Sequence, residues 1–124
     1  MDPRILIIDD NEDDLILATR YLTRAGYKRI ATVTDAAEGV KRAIAEKPDV
    51  VISDTVLPGS SGFEVCRQIR EVCGPTEPKI VIITGSIDAV DAVKARTMGA
   101  NDYCAKASDC GPLLEAMQKL TISE

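Results

Sequence analysis

Five short aliphatic and β-branched runs alternate with five stretches of helical periodicity, and no other feature of the 124 residues restricts the fold as much. Such alternation builds βα units, which lay the strands side by side in one parallel sheet with helices on both faces. The expected strands are Arg4–Ile8, Arg29–Val33, Val50–Ser53, Lys79–Ile83 and Asp102–Cys104. The first, third and fourth are almost unbroken apolar runs, as strands buried on both faces require, so they belong at the sheet centre. Right-handed crossovers make the sheet open and doubly wound. Of the two common strand orders for this pattern, we take 2-1-3-4-5, which sets strands one and three side by side.

The helices carry start and stop signals. Asn11 caps the first, whose stripe is Leu15, Ala18, Leu22 and Ala25, with Gly26 as the stop. Asp35 with Glu38, and Ser61 with Glu64, have capping-box spacing and open the second and third. Ser86 is expected to cap the fourth, which ends near Gly99, and Ser108 or Asp109 to open the fifth, which runs through Leu113, Met117 and Leu120.

A chain of this length suits one domain, expected over residues 1–124 with no linker or repeat. Phe63, Tyr21, Tyr27 and Tyr103 are the only aromatic residues, too few for a platform that stacks bases. The net charge of −5, with scattered lysines and arginines, opposes phosphate backbones, so direct nucleic-acid binding is not expected. No apolar run reaches the roughly 20 residues of a membrane helix, and Met1-Asp2-Pro3-Arg4 is not a signal region, so a cytoplasmic protein is expected. Cys66, Cys73, Cys104 and Cys110 form no CxxC pair, and histidine is absent, which leaves little to ligate zinc. Val65, Cys66, Ile69, Val72 and Cys73 trace one helix face and are expected in the core.

The chemistry gathers where apolar runs stop. Asp9 and Asp10 follow Ile5-Leu6-Ile7-Ile8, Asp54 follows Val50-Val51-Ile52, Thr84 follows Ile80-Val81-Ile82-Ile83, and Lys106 follows Tyr103-Cys104-Ala105. In an open α/β sheet, ligands bind beyond the carboxyl ends of the strands, so these side chains meet at one rim. Carboxylates crowded there repel one another unless some are protonated or a cation binds. Oxygen ligands alone indicate a hard ion, and Mg²⁺ fits better than Ca²⁺ because no twelve-residue calcium loop is present. Asp10 and Asp54 are the expected direct ligands, with Asp9 acting through a water. A divalent cation and the Lys106 ammonium together would neutralise an incoming phosphoryl group, so Asp54 could attack phosphorus and hold it as an aspartyl phosphate. The Thr84 hydroxyl would donate to a phosphoryl oxygen.

With these residues in hand, the chain resembles the receiver domain of two-component response regulators over essentially its whole length. The matching pieces are Ile7-Ile8-Asp9-Asp10-Asn11-Glu12, Asp54 with Pro58 and Gly62, Ile83-Thr84-Gly85, and Asp102-Tyr103-Cys104-Ala105-Lys106. The resemblance implies a flavodoxin-like fold and Mg²⁺-dependent transfer of phosphoryl from a histidine kinase or phosphotransfer protein to Asp54. It also implies a phosphoacceptor signalling domain rather than an enzyme on external substrates, though one able to catalyse its own phosphorylation and dephosphorylation. The absence of histidine agrees, since the donor is then supplied in trans. Tyr103 stands where the family has an aromatic residue that changes rotamer as the threonine, here Thr84, moves toward the phosphoryl group. Downstream proteins would dock on the fourth helix, fifth strand and fifth helix.

Two positions depart from the family pattern or narrow it. Ala107 replaces the proline that usually follows the lysine in a cis bond, and a non-proline cis bond costs about 2.5–4 kcal/mol, so Lys106–Ala107 is expected trans. Val56 would offer a metal only its backbone carbonyl, and its side chain cannot orient water, which implies a long-lived aspartyl phosphate. Val56 also stands where haloacid-dehalogenase-type phosphatases need a general acid. A flavin-binding module lacks support, because the loop Asp9-Asp10-Asn11-Glu12-Asp13-Asp14 is acidic instead of phosphate-cradling. A phosphorylation-independent interaction module and an excised receiver of a larger regulator are the remaining alternatives.

Overall fold

A computed structural model describes residues 2–121, so Met1 and residues 122–124 of the expected domain lie outside the described residues. Five strands, β1 (Arg4–Ile8), β2 (Arg29–Val33), β3 (Val50–Asp54), β4 (Lys79–Thr84) and β5 (Asp102–Ala105), form one sheet. All its pairings are parallel, in the order 2-1-3-4-5. Five helices connect or follow them: α1 (Glu12–Arg24), α2 (Ala36–Glu46), α3 (Gly62–Cys73), α4 (Ala89–Thr97) and α5 (Gly111–Thr121). A small antiparallel hairpin pairs Val56–Leu57 with Ser60–Ser61 between β3 and α3.

Strand alternation splits the core into two layers. Ile5, Ile7, Val50, Ile52, Val81 and Ile83 face α1 and α5, meeting Leu15, Leu22, Leu113 and Met117. Leu6, Ile8, Val51, Ile80 and Ile82 face the other way, against Val40, Val65, Ile69 and Ala95 of α2, α3 and α4. Both layers exclude water through aliphatic side chains, which stabilise the fold by roughly 25 cal/mol per Å² of apolar surface removed from water. The central strands β1, β3 and β4 are the ones buried on both sides, as their apolar runs require.

Most caps fall where the side-chain chemistry puts them. Asn11, Asp35 and Ser61 accept from the backbone N–H groups of Asp14, Glu38 and Glu64. Gly26 follows the α1 cap with φ +104°, a conformation that costs glycine little. The fourth helix corrects the expectation: Asp88, not Ser86, is its cap and accepts from Val90 and Asp91, because the Ser86 backbone is held by Thr84. At the fifth, Asp109 accepts from Gly111 N–H, as one of the two expected openers. The α3 stripe is narrower than expected. Val65, Cys66 and Ile69 are buried, Cys73 is half-buried, and Val72 turns outward at 62% exposure. Three strands run one residue further than predicted, so Asp54, Thr84 and Ala105 are strand residues.

Candidate functional site

The parallel register brings the carboxyl ends of β1, β3, β4 and β5 to one edge. Ile8 pairs with Ser53, Asp54 with Ile83, and Thr84 with Ala105, so the residues that follow share a rim. Backbone bonds fix the loops: Asp9 N–H donates to Val33 O at 3.0 Å, and Lys106 N–H to Thr84 O at 2.7 Å. Thr55, which sequence reasoning passed over, donates both its N–H and its hydroxyl to Ile83 O at 2.8 Å, fastening the end of β3 to β4.

Asp9, Asp10 and Asp54 each offer a carboxylate oxygen, and these atoms lie within 4.8 Å of one another. Asp9 is buried, Asp54 is nearly so, and Asp10 opens to solvent. Hard oxygen donors at this spacing, with one face exposed, suit a cation that keeps part of its water shell. Lys106 stands over the same cluster. Its Nζ donates to Asp9 Oδ2 at 3.0 Å, Asp54 Oδ2 at 3.2 Å and Asp14 Oδ2 at 2.6 Å.

The charges respond to this crowding. Burial pushes the Asp9 carboxyl above the ordinary aspartate value, the Asn11 N–H and Lys106 pull it down, and the Asp54 charge raises it again, with a net rise. Burial works against the Lys106 ammonium, but hydrogen bonds to Asp14 and Asp9 and the charges of Asp9 and Asp54 outweigh it. Lys106 is therefore held above the ordinary lysine value and stays cationic.

Of the sequence-predicted residues, the structure brings Asp9, Asp10, Asp54 and Lys106 together, and Thr84 ends the neighbouring strand. The Thr84 hydroxyl is turned to the Ser86 backbone, donating to its carbonyl at 3.0 Å and accepting from its N–H at 3.2 Å. Tyr103 packs against the layer of α2, α3 and α4, and its hydroxyl is buried without a hydrogen-bond partner among the described residues. Val56, two residues after Asp54, is 73% exposed. Lys106–Ala107 is trans, as expected. Asp14 was missed. It makes the shortest of the three Lys106 contacts, and the acidic run from Asp9 to Asp14 was its only signal.

Residues 5–118 match the family described as the response regulator receiver domain. The chain belongs to that family. This receiver is 33% identical to protein PilH of Pseudomonas aeruginosa over 114 residues, covering 92% of this chain and 93% of PilH. It is 36% identical over 108 residues to the alkaline phosphatase synthesis transcriptional regulatory protein PhoP of Bacillus subtilis, covering 86% of this chain. The receiver spans under half the length of PhoP (43%) and of the Streptomyces coelicolor regulator AfsQ1 (44%). Among solved structures, a LuxR-family two-component response regulator from Aurantimonas superposes with a TM-score of 0.88 at 32% identity, over 97% of this chain and 85% of that one. The chemotaxis response regulator CheY4 of Vibrio cholerae, at 24% identity, shares the fold with a TM-score of 0.86 over 97% and 99% of the two chains. No helix among the described residues is long and apolar enough to cross a membrane.

Proposed function

We propose that this receiver accepts a phosphoryl group on Asp54 from the phosphohistidine of a histidine kinase or phosphotransfer protein, with Mg²⁺ bound at the acidic rim. One observation carries the reading: the Lys106 ammonium lies 3.2 Å from Asp54 Oδ2, and oxygens of Asp9 and Asp10 lie within 4.8 Å of an Asp54 oxygen. A carboxylate so flanked can attack phosphorus; the O–P bond forms as the P–N bond to the donor imidazole breaks. Mg²⁺, when bound, supplies positive charge to the phosphoryl oxygens.

Asp10 and Asp54 suit direct ligation, and the Val56 backbone carbonyl would be the further protein ligand in this reading. Both Asp9 oxygens are already engaged, one by Asn11 N–H and one by Lys106, which favours contact through water. Lys106 and Thr84 are the groups suited to the phosphoryl oxygens. For Thr84 this means leaving Ser86, and the space it vacates would admit the Tyr103 ring. Burying the Tyr103 hydroxyl unpaired costs about 1–3 kcal/mol, which favours a second ring position once one opens. The surface that changes is α4, β5 and α5, where Val90 and Val93 of α4, with Ile87 just before it, are exposed for a downstream protein. Work in the cytoplasm, on a kinase's phosphohistidine and not on external substrates, follows from this reading.

Incubation with phosphoramidate and Mg²⁺, followed by intact mass, tests the reading. We expect one added phosphoryl group, lost in Asp54→Asn and without divalent metal. An unmodified wild type, or equal modification of Asp54→Asn, would overturn it.

A further inference from the structure

We infer that Asp14 is a positioning residue for Lys106, one that draws the ammonium partly away from Asp54 and so tunes both metal and phosphoryl binding in opposite directions. The inference deepens the reading of Asp54 as the phosphoryl acceptor and rests on it. An ammonium has three N–H donors, and Lys106 directs them to three carboxylates, Asp9, Asp54 and Asp14. None is left for a phosphoryl oxygen, so one bond must be given up when that group arrives.

Asp14 differs from the other two. Asp9 and Asp54 belong to the buried floor at the strand ends, whereas Asp14 rises from the first turn of α1 with its side chain 37% exposed. It makes the shortest contact, 2.6 Å, and lies with Lys106 and Leu17 in the wall of a pocket of about 260 Å³. Asp14 thus competes with any anion on Asp54 for the same donor. Its own charge also adds to those of Asp9, Asp10 and Asp54, which repels a phosphoryl group and attracts a divalent cation. By holding Lys106, it further limits how far the ammonium neutralises Asp9 and Asp54 against Mg²⁺.

The opposed signs separate this role from simple structural damage, which would weaken both. In the full chain, Mg²⁺ affinity is measured by calorimetry, and phosphorylation by phosphoramidate is followed at saturating Mg²⁺. Asp14→Asn is expected to weaken Mg²⁺ about three- to tenfold and to speed phosphorylation about three- to tenfold. Asp14→Glu, which keeps the charge, should move both values back toward wild type. Asp14→Ala serves as a second neutral variant if the Asn protein melts early. Unchanged Mg²⁺ affinity in the neutral variants, or slower phosphorylation together with weaker Mg²⁺, would overturn the inference. A wild type that takes no phosphoryl group removes the Asp54 reading instead. The Mg²⁺ measurement then decides on Asp14 alone, weakening with Glu rescue supporting it and no change overturning it.

Discussion

Gly62 is pressed against the backbone of Asp54: a Cβ on this glycine would stand 2.5 Å from the Asp54 carbonyl oxygen and 3.2 Å from the carbonyl carbon. The first residue of α3 therefore sets how closely the helix approaches the acidic loop, and Gly62 N–H closes that loop on Thr55 O at 2.9 Å. Space is the constraint here, because backbone atoms cannot turn aside as a flexible side chain does. Gly62→Ala should destabilise the fold by about 1–3 kcal/mol and slow phosphorylation of Asp54 by displacing it. Gly59 makes a control, with φ +71° and nothing within 4 Å of an added Cβ. Gly59→Ala should cost about 1–2 kcal/mol through the left-handed backbone, with little change in rate. Urea unfolding and the phosphorylation assay compare the two. Equal rates for both variants would separate the Gly62 contact from the chemistry.

The opposite end of the sheet holds a polar clamp. Asn101 Oδ1 accepts from Ile80 N–H at 2.8 Å and from the Arg70 guanidinium at 3.0 Å, and Arg70 Nε donates to Gly99 O at 2.9 Å. One side-chain oxygen thus joins α3, the start of β4 and the turn after α4. Asn101→Ala leaves a strand N–H and part of a guanidinium without partners, so a loss of about 1–3 kcal/mol is expected in urea unfolding. Because the clamp is far from the rim by topology, phosphorylation at native temperature should persist. A stability change below about 0.5 kcal/mol would show that water replaces Asn101 at no cost.

Sequence reasoning reached the sheet because its centre is written in apolar runs: Val50, Val51 and Ile52 read as a doubly covered strand and are one. It reached Asp9, Asp10, Asp54 and Lys106 because each ends such a run. Asp14 escaped it for a geometric reason. Glu12, Asp13 and Asp14 are equally acidic neighbours in the first turn of α1, and only the seating of that helix decides which one turns to the rim. Glu12 and Asp13 are exposed, while Asp14 reaches Lys106. Ser86 and Asp88 are both good caps, and the choice fell to Asp88 through a tertiary-placed Thr84 hydroxyl that no local pattern encodes. Val72 fits the apolar stripe of α3 by spacing, yet it is 62% exposed while the next residue, Cys73, packs against the core, so spacing alone does not place the edge of the stripe.

Val56 bears on how long the phosphorylated state would last. It follows Asp54 by two residues and is 73% exposed, so replacement there costs no core packing. Hydrolysis of an aspartyl phosphate needs a water oriented on phosphorus, and an isopropyl group offers that water no hydrogen bond. Val56→Asn should shorten the lifetime about five- to tenfold by positioning water. Decay is followed by intact mass after the phosphodonor is removed. Equal lifetimes for wild type and variant would count against the role given to Val56.

The cysteines predict how the fold responds to alkali. Burial pushes the Cys66 thiol up to about 11, with nearby Arg70 opposing, and burial with the Asp102 charge pushes Cys104 up to about 12, both from an ordinary 9.0. At pH 8 only about one Cys66 thiol in a thousand is ionised, and thiolate is the reactive form. Cys73, half-buried near the end of α3, should therefore take iodoacetamide first in the native protein. The same shifts set the sign of the stability change. Below pH 9 both states keep these protons and the two thiols add no slope. Above it the unfolded chain releases protons that the fold retains, so stability falls by about 1.4 kcal/mol per unit for each group until the folded thiol ionises. Lys106, held above its ordinary 10.5, adds loss in the same direction at higher pH. Urea unfolding from pH 7 to pH 11 should show this decline, reduced in Cys66→Ala and Cys104→Ala. Rapid labelling of Cys66 or Cys104 at pH 8 under native conditions would mean that the two core layers open far more readily than their packing allows.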